Sequence, residues 1–408
     1  MTLYEELKWR GLIKDVTSPE LENKLNNEKL TFYIGTDPTA DSMHIGHYSS
    51  FLIAKRLAKA GHKPLLLIGG ATGRIGDPRP TTEREMKSIE EIEKNTKNLK
   101  KQAEEIFGFE VVDNYDWIKN INIIEFLRDY GKYFNINYML DKDIIRRRLE
   151  TGITFTEFSY MLLQSLDFLH LHETRGVNLQ VAGSDQWGNI TSGVDLIRKK
   201  LGDEVYAFTM PLILDQNGKK FGKSEGNALW LDKNKTSGYE LYQYLINTDD
   251  SMIESYLKVF TFLSPEEIMD IVSKHNNEPH LRLGQKTLAR EIITDLHGKE
   301  EYEKAVQISE NLFSGNIKEI NVHDLMIGLK DVPHFILKDE SLLDLLVNNN
   351  ICSSKREARE FLGNNAISVN GEIVNDENMF IDKTKTIEGK IVVIRRGKKK
   401  YYVGLVEE

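Results

Sequence analysis

The feature that most constrains the fold is a strand–helix–strand pattern near the N-terminus. Two runs of β-forming residues, at 30–35 and 64–70, enclose a polar loop and a segment with helical periodicity that ends near Gly61. This order predicts the opening of a parallel sheet covered by helices. Further strands are predicted at 178–182 and 208–214, so the sequence indicates an α/β fold.

The later part of the chain changes character twice. Residues 236–315 carry helical periodicity with few Gly or Pro, which predicts a separate all-α unit. After a connector near 316–340, the stretch 341–408 mixes short helices with Val- and Ile-rich strands. A length of 408 residues is consistent with two to four domains.

Bulk properties narrow the class of protein. The formal net charge of −9 argues against a protein that coats nucleic acid without specificity. A single cysteine, Cys352, excludes an intrachain disulfide, fits a reducing compartment and, with scattered histidines, argues against a Cys/His metal site. The N-terminus lacks the pattern of a secretory signal, and no apolar stretch is long enough to span a membrane. We therefore expect a cytoplasmic protein without a membrane partner.

The sequence HIGH at 44–47 comes where the first predicted helix begins. A helix N-terminus has unpaired N–H groups and a positive dipole end, so it attracts phosphate. His44 and His47 are three residues apart on one predicted helical face, where they can donate hydrogen bonds to phosphate oxygens. Gly46 between them lets a flat base approach the backbone. The alternative is a pair of structural histidines beside tight glycine packing.

The sequence KFGKS at 220–224 follows a tight turn predicted at Asn217-Gly218. Its lysines, Lys220 and Lys223, flank a glycine, as in a mobile loop that closes on a polyphosphate and contacts it in the transition state. Such a loop is often only a surface turn. The occurrence of both motifs in this order favours a phosphate site.

A polar stripe follows the helix predicted at 157–172. Tyr160, Gln164 and Asp167 are spaced four and three residues apart, so they fall within an arc of about 60° on an otherwise apolar helix. The stripe is either a solvent-exposed face or the wall of a buried polar site. Tyr, Gln and Asp are suited to fixed hydrogen bonding, which favours the site.

The two motifs together resemble the signature motifs of class I aminoacyl-tRNA synthetases. The run at 33–47, taken with KFGKS, is similar to bacterial tyrosyl-tRNA synthetases. The resemblance continues through GGATGRIGDP, TGITFTEFSYMLLQSLDF, GSDQWGNIT and the C-terminal stretch, and so covers nearly the whole chain. It implies a Rossmann-like parallel-sheet catalytic domain with an inserted connective segment, an all-α anticodon-side domain, a small α+β RNA-binding module and a homodimer. The implied boundaries are 1–230, 231–320, a linker at 321–340, and 341–408.

The resemblance also implies roles for individual residues. Tyr33 and Asp167 would bind the phenolic hydroxyl of L-tyrosine, and Asp77 would supply charge for its ammonium group, with Trp117 near the pocket. The residues expected to bind tyrosine are Tyr33, Asp77, Tyr160, Gln164, Asp167 and Gln186. Those expected to bind ATP are Gly35, His44, Gly46, His47, Ser50, Gly183, Asp185 and Lys223. Those expected to act in catalysis are Asp37, Thr39, His44, His47, Lys220 and Lys223.

The implied reaction is the attachment of tyrosine to tRNA(Tyr) through tyrosyl-adenylate. ATP with Mg²⁺ would be a co-substrate, and no tightly bound cofactor or protein metal site is expected. Relatives often carry a lysine in the segment after GDP, where this chain offers Arg79 or Arg84 for the pyrophosphate.

The C-terminal stretch has its own indications of RNA binding. The run ICSSKREAREFLGNNAISVNGEIV resembles an RNA-binding module shared with a small-ribosomal-subunit protein. It places Lys355, Arg356 and Arg359 on a predicted helix, where they could contact RNA phosphates. Residues 383–400 add eight basic residues against one acidic residue.

Two alternatives stay open at this point. One is another enzyme of the same fold, such as a tryptophanyl synthetase or a nucleotidylyltransferase, against which Tyr33, Asp167 and KFGKS argue. The other is a non-catalytic paralogue that only binds RNA, against which the intact motifs argue.

Overall fold

A computed structural model describes residues 1–79, 81–224, 227–398 and 400–407 of the chain. It divides into two compact units. The first unit comprises Met1–Thr236 and Asp249–Gly284, and the second comprises Ser237–Thr248 and Gln285–Glu408.

The strands are short and are numbered along the chain. They are β1 Asp15–Val16, β2 Thr31–Thr36, β3 Lys63–Ile68, β4 Glu110–Asp113, β5 Leu179–Gly183, β6 Tyr206–Met210, β7 Lys223–Ser224, β8 Asn227–Ala228, β9 His334–Ile336, β10 Glu340–Ser341, β11 Ile367–Val369, β12 Glu372–Ile373, β13 Phe380–Ile381, β14 Ile391–Arg396 and β15 Lys400–Leu405. The strand predicted at 208–214 was placed wrongly: β6 ends at Met210, because Pro211 has no N–H to continue the pairing.

The helices are α1 Leu3–Trp9, α2 Leu21–Asn27, α3 Ile45–Lys59, α4 Ile89–Phe107, α5 Tyr115–Ile118, α6 Ile123–Glu125, α7 Ile136–Leu140, α8 Asp143–Arg148, α9 Phe155–Arg175, α10 Trp187–Leu201, α11 Gly238–Ile246, α12 Ile253–Phe260, α13 Pro265–Asn277, α14 Leu283–His297, α15 Lys299–Ser314, α16 Val322–Gly328, α17 Leu342–Asn348 and α18 Lys355–Gly363. Among the described residues, no helix has both the length and the apolar character needed to cross a membrane.

The first unit is built on a six-stranded sheet with the order β1-β6-β5-β2-β3-β4. In this sheet strands β2 to β6 pair in parallel, and β1 pairs with β6 in the antiparallel sense. The chain winds from β2 outward through β3 to β4 and then returns to β5 on the other side of β2. This reversal leaves a crevice beyond the carboxyl ends of β2 and β5, the usual ligand site of such sheets. The predicted α/β class with a Rossmann-like parallel sheet is confirmed.

Core packing in the first unit fixes the strands and the helix that border the crevice. The middle residues of β3 and β5 are buried, as the unbroken apolar runs of these strands predict. Helix α9 packs on the sheet through Leu166, Phe168 and Leu169, which share a cluster with Tyr33 of β2. Since Tyr160, Gln164 and Asp167 lie on the same helix, packing of its apolar side fixes the direction of its polar stripe.

The second unit combines helices with a five-stranded sheet of order β12-β11-β14-β15-β9. Strand β9, which pairs in parallel with β15, and helix α16 both fall in the range that the sequence suggested as a connector. One apolar cluster joins α15 and α16 to β14 and β15, and another joins α17 and α18 to β11 and β14. The domain boundaries given above stay a prediction.

Candidate active site

A cavity of about 260 Å³ opens at the carboxyl ends of β2 and β5. A second cavity, of about 300 Å³, lies beside it and shares His47 and Asp185 with it. The sequence-predicted residues that line the first cavity are Tyr33, Gly35, Asp37, Thr39, His47, Asp77, Tyr160, Gln164, Asp167, Asp185 and Gln186. Those that line the second cavity are His44, Gly46, His47, Ser50, Gly183, Asp185 and Lys220. Residues far apart in the sequence thus meet at one place.

The inner end of the first cavity is formed by Tyr33 and Asp167. Both side chains are buried, and within the described part of the chain the Tyr33 hydroxyl has no hydrogen-bond partner. The Asp167 carboxylate accepts from Nδ2 of Asn114 at 3.0 Å and from Nε1 of Trp117 at 2.9 Å. Burial raises the pKa of Asp167 to about 8, although these two hydrogen bonds oppose the rise. This end of the cavity therefore presents a hydroxyl and a carboxyl group to a polar atom of a ligand.

A chain of hydrogen bonds ties Asp167 to Asp37. Asn114 donates from the same Nδ2 to Oγ1 of Thr72 at 3.0 Å, and Thr72 donates to Oδ1 of Asp37 at 2.7 Å. The Tyr160 hydroxyl donates to Oδ2 of Asp37 at 2.8 Å. Burial raises the pKa of Asp37, against these bonds and the charge of Arg84. Sequence reasoning missed Thr72 and Asn114, since neither lies in a periodic pattern.

Asp77 supplies a second carboxylate to the wall of the first cavity. It accepts from Nε2 of Gln186 at 2.8 Å and from Nδ2 of Asn189 at 3.1 Å. Burial is the largest cause that raises its pKa to about 6, and the nearby charge of Asp37 adds to the rise. The three carboxylates share one cavity, Asp167 being buried and Asp37 and Asp77 partly buried, and a bound cation would relieve their mutual repulsion.

The two histidines of the HIGH sequence cap helix α3 reciprocally. His44 precedes the first turn, and its Nδ1 accepts from the N–H of Gly46 at 3.1 Å, while Nδ1 of His47 accepts from the N–H of His44 at 3.1 Å. In the neutral rings the proton is therefore on Nε2, which can donate to an oxygen. Burial, assisted by His44, lowers the pKa of His47 to about 3, so His47 is neutral at pH 7. A Cβ at Gly46 would come within 2.8 Å of the His44 ring.

The KFGKS segment lies against the start of α3. Phe221 is buried between Tyr256 and Phe260, whose ring centroids are 4.8 and 4.6 Å from its own. Lys220 is exposed at the second cavity. The backbone of Lys223 belongs to β7, and its side chain lies outside the described residues.

Two arginines were candidates for a pyrophosphate contact. Arg84 lines the first cavity, and its Nε donates to the carbonyl oxygen of Asp77 at 2.6 Å. Arg79 is exposed and lines neither cavity. Of the two, only Arg84 is placed at the site.

Comparison with known proteins identifies the family. The family model described as "tRNA synthetases class I (W and Y)" matches residues 25–314. A tyrosine–tRNA ligase of Listeria monocytogenes serotype 4a is 49% identical over 415 aligned positions, which cover 99% of each chain. One of Macrococcus caseolyticus is 50% identical over 410, with 98% of each chain covered.

The chain belongs to the tyrosine–tRNA ligase family. This family consists of aminoacyl-tRNA synthetases, which are ligases, so the predicted family and enzyme class are confirmed. Among solved structures, a C-terminally truncated mitochondrial tyrosyl-tRNA synthetase of Aspergillus nidulans matches with a TM-score of 0.67 and 34% identity. That match covers 76% of this chain and 94% of the other.

A second family model extends the assignment to the C-terminal part of the second unit. The "Tyrosine--tRNA ligase SYY-like C-terminal domain" matches residues 324–404. Within this range the sequence predicted a helix that carries Lys355, Arg356 and Arg359. All three residues lie on α18 and are exposed. Nζ of Lys355 pairs with Asp344 at 2.6 Å, and Nε of Arg359 pairs with Glu377 at 2.5 Å.

Metal-ligating side chains do not cluster in the part of the chain that the structure describes. There, no three or more His, Cys, Asp or Glu residues are arranged to hold a metal ion. Phosphate-bound Mg²⁺ needs no such cluster, because this ion keeps several waters and takes its other ligands largely from substrate phosphates.

Proposed function

We propose that this ligase joins L-tyrosine to tRNA(Tyr) in two steps, with ATP and Mg²⁺ as co-substrates. The observation that carries the proposal is the buried Tyr33 hydroxyl, which lacks a partner among the described residues and shares the cavity end with Asp167. A buried hydroxyl without a partner costs free energy, which a phenolic hydroxyl of the substrate would recover.

Tyrosine would enter the first cavity with its ring toward Tyr33 and its ammonium group toward Asp77. Tyr33 would donate to the phenolic oxygen, because burial keeps the pKa of its own hydroxyl well above the usual value. Asp167 would accept the phenolic proton. Tyr160 and Gln164 line the side wall, and Gln186 orients Asp77. Phenylalanine would leave Tyr33 and Asp167 without their partner, so the site would reject it.

ATP would occupy the second cavity and reach the first at His47 and Asp185. The bare backbone at Gly35, Gly46 and Gly183 would lie along the nucleotide, near Ser50. The Nε2–H groups of His44 and His47 would donate to phosphate oxygens. Mg²⁺ would be held mainly by the phosphates.

In the first step a carboxylate oxygen of tyrosine forms a bond to the α-phosphorus of ATP. The bond from that phosphorus to the bridging oxygen breaks, and pyrophosphate leaves with the electron pair. No general base is needed, because the carboxylate is already ionised. Catalysis would consist of positioning and of charge stabilisation by Asp37, Thr39, the two histidines, Lys220 and Lys223.

In the second step a hydroxyl oxygen of the terminal ribose of the tRNA forms a bond to the acyl carbon, and the bond from that carbon to the phosphate oxygen breaks. AMP leaves with the electron pair, and the hydroxyl proton passes to AMP or to water. The exposed cations Lys355, Arg356 and Arg359 of α18 would contact RNA phosphates. Two of these cations pair with Asp344 and Glu377, so RNA would compete with those carboxylates.

A homodimer in the cytoplasm is part of the proposal. Ile136, Leu149 and Phe155 are 61%, 51% and 70% exposed, on or beside helices α7, α8 and α9. These helices pack together through Met139 and Ile145, so their exposed apolar residues belong to one region. A second copy of the chain would cover such a surface.

The decisive experiment is amino-acid-dependent exchange of labelled pyrophosphate into ATP. Exchange with tyrosine, and none with phenylalanine or tryptophan, is the expected result. A preparation of His47→Ala, purified in the same way, controls for contaminating synthetase of the expression host. Exchange with tryptophan alone would assign another substrate. A folded protein that binds tRNA without any exchange would be the binding-only paralogue.

A further inference from the structure

A buried ion pair lies beside the crevice and lines neither of the two cavities. Nη2 of Arg148 is 2.8 Å from Oε2 of Glu157, and the side chains are 4% and 2% exposed. Arg148 is the last residue of α8, and Glu157 lies in the first turn of α9. Removing two charges from water is costly, and apolar residues of similar volume would often give equal stability. Stability alone is therefore a weak reason for this pair.

The other polar atoms of the pair bind the backbone of residues 77–84, which the structure describes except for residue 80. Nη1 of Arg148 donates to the carbonyl oxygens of Arg79 at 2.9 Å and Thr82 at 3.1 Å. Oε1 of Glu157 accepts from the N–H of Arg84 at 3.0 Å. The pair therefore fixes three backbone groups of one irregular segment.

Both ends of the 77–84 segment reach the first cavity. Asp77 and Arg84 line its wall, and Nε of Arg84 donates to the carbonyl oxygen of Asp77. Arg84 has no regular secondary structure around it to set its direction. Its position depends on the bond from its N–H to Glu157 and on the course of the segment held by Arg148.

We propose that Arg148 and Glu157 are positioning residues that hold the 77–84 segment so that Arg84 faces the phosphates of ATP. The proposal deepens the proposed function and rests on it. Helix α9 carries Glu157 as well as Tyr160, Gln164 and Asp167, so the same helix that walls the tyrosine site orients a cation for the nucleotide.

Arginine is specifically suited to this place. Its planar guanidinium reaches Glu157, two carbonyl oxygens of the segment and, through Nε, the carbonyl oxygen of Gly152 at 3.1 Å. Lysine would preserve the charge beside Glu157 but offers a single ammonium in place of the fork. Arg148→Lys therefore loosens the segment with little disturbance to the buried charge balance.

The first test compares the kinetics of Arg148→Lys with wild type in pyrophosphate exchange. We expect kcat/KM for ATP to fall about tenfold or more, because small misplacements of a contact group are costly, while KM for tyrosine stays within about twofold. Arg146→Lys is the matched control, since Arg146 is on the same helix but is exposed and pairs with Asp143. Equal losses for both substrates, or no loss, would overturn the proposal.

A double-mutant cycle with Arg84→Ala tests whether Arg148 acts through Arg84. If it does, Arg148→Lys adds little to the loss already caused by Arg84→Ala. Fully additive effects of the two substitutions would contradict the proposed route.

A third measurement does not depend on activity. Hydrogen–deuterium exchange of the peptide that spans residues 81–86 should be faster in Glu157→Gln and Arg148→Lys than in wild type, with Arg146→Lys unchanged. Unaltered exchange in both variants would refute the positioning role even in an active enzyme. If both variants exchange faster but the wild-type protein shows no tyrosine-dependent exchange of pyrophosphate into ATP, the positioning role stands and only the proposed function is contradicted.

Discussion

Gly222 of the KFGKS sequence lies directly against Ile45 of the HIGH sequence. A Cβ at Gly222 would come within 1.9 Å of Cγ2 of Ile45, and Gly222 has a φ of +82°. Backbone bonds reinforce the approach: the N–H of Leu229 donates to Gly222, and the N–H of Ile45 donates to Leu229. The cationic loop therefore starts from a fixed contact with the helix that carries His44 and His47.

Gly222→Ala should slow tyrosine activation by about tenfold or more. Alanine is strained at this φ and its Cβ would push the loop from Ile45, so the loop lysines would be displaced. Rapid-quench measurement of tyrosyl-adenylate formation would show a lower rate at saturating ATP. Gly218→Ala is the control, because Gly218 also has a positive φ (+75°) but no neighbour near its Cβ position. Equal rates for the two variants would contradict the steric argument.

Asp167→Asn should reduce discrimination between tyrosine and phenylalanine. Asparagine has one acceptor oxygen where the carboxylate accepts from both Asn114 and Trp117, and it cannot take the phenolic proton equally well. We expect kcat/KM for tyrosine to fall roughly 5- to 150-fold, which corresponds to the one to three kcal/mol that an unsatisfied buried polar group costs. The value for phenylalanine should change little.

Ser165→Ala controls for this result, because the Ser165 hydroxyl is also buried on α9 but donates to the carbonyl oxygen of Met161. A fall of equal size for phenylalanine would show a general defect of the fold and not a lost contact with the phenol.

The sequence predicted the residues that line the crevice better than the residues that hold them in place. Tyr33 was expected at the site because the run at 33–47 resembles tyrosyl-tRNA synthetases, and Asp167 because it belongs to the polar stripe of a periodic helix. Asn114 follows β4 in an aperiodic stretch, and its bond to Asp167 spans 53 positions. The Arg148–Glu157 pair likewise depends on how α8 and α9 pack. Contacts of this kind follow from tertiary structure, which local patterns do not encode.

Tyrosine affinity should fall as the pH drops from 7 to 5. The pKa of Asp77 in the free protein is raised to about 6, so below pH 6 the carboxyl is mostly protonated and must release a proton to pair with ammonium. The dissociation constant should rise toward about tenfold per pH unit below 6. Asp167, whose pKa is raised to about 8, would also give up a proton to accept from the phenol, but it is unchanged in Asp77→Asn, so comparison with that variant isolates the share of Asp77.

Calorimetric titration with tyrosine at pH 5.5, in two buffers of different ionisation enthalpy, would count the protons released on binding. The same titration of Asp77→Asn provides the comparison. A larger proton release in wild type than in Asp77→Asn is the expected result. Identical release in both proteins would assign the proton to another group.

Substitution of Arg356 should weaken tRNA binding and its dependence on salt. Arg356 is exposed on α18, and among the described residues no carboxylate lies within 4 Å of its guanidinium to form an ion pair. If it contacts a phosphate, Arg356→Gln lowers the slope of log K against log salt by about one unit. Lys24→Gln, which removes a charge from an exposed pair in the first unit, should leave the slope unchanged. An unchanged slope in Arg356→Gln would remove this residue from the RNA-binding surface.

The neutral state of His47 should make the folded protein sensitive to acid. The pKa of His47 is about 3 when folded, whereas an unfolded histidine titrates near 6.5. Between these values the unfolded chain binds more protons, so stability is lost as the pH falls below about 6.5, by at most ~1.4 kcal/mol per pH unit. Asparagine at this position keeps an acceptor for the His44 N–H but does not titrate. Urea unfolding of wild type and His47→Asn at pH 7 and pH 5 should therefore diverge, with the larger loss in wild type, and equal losses would contradict the depressed pKa.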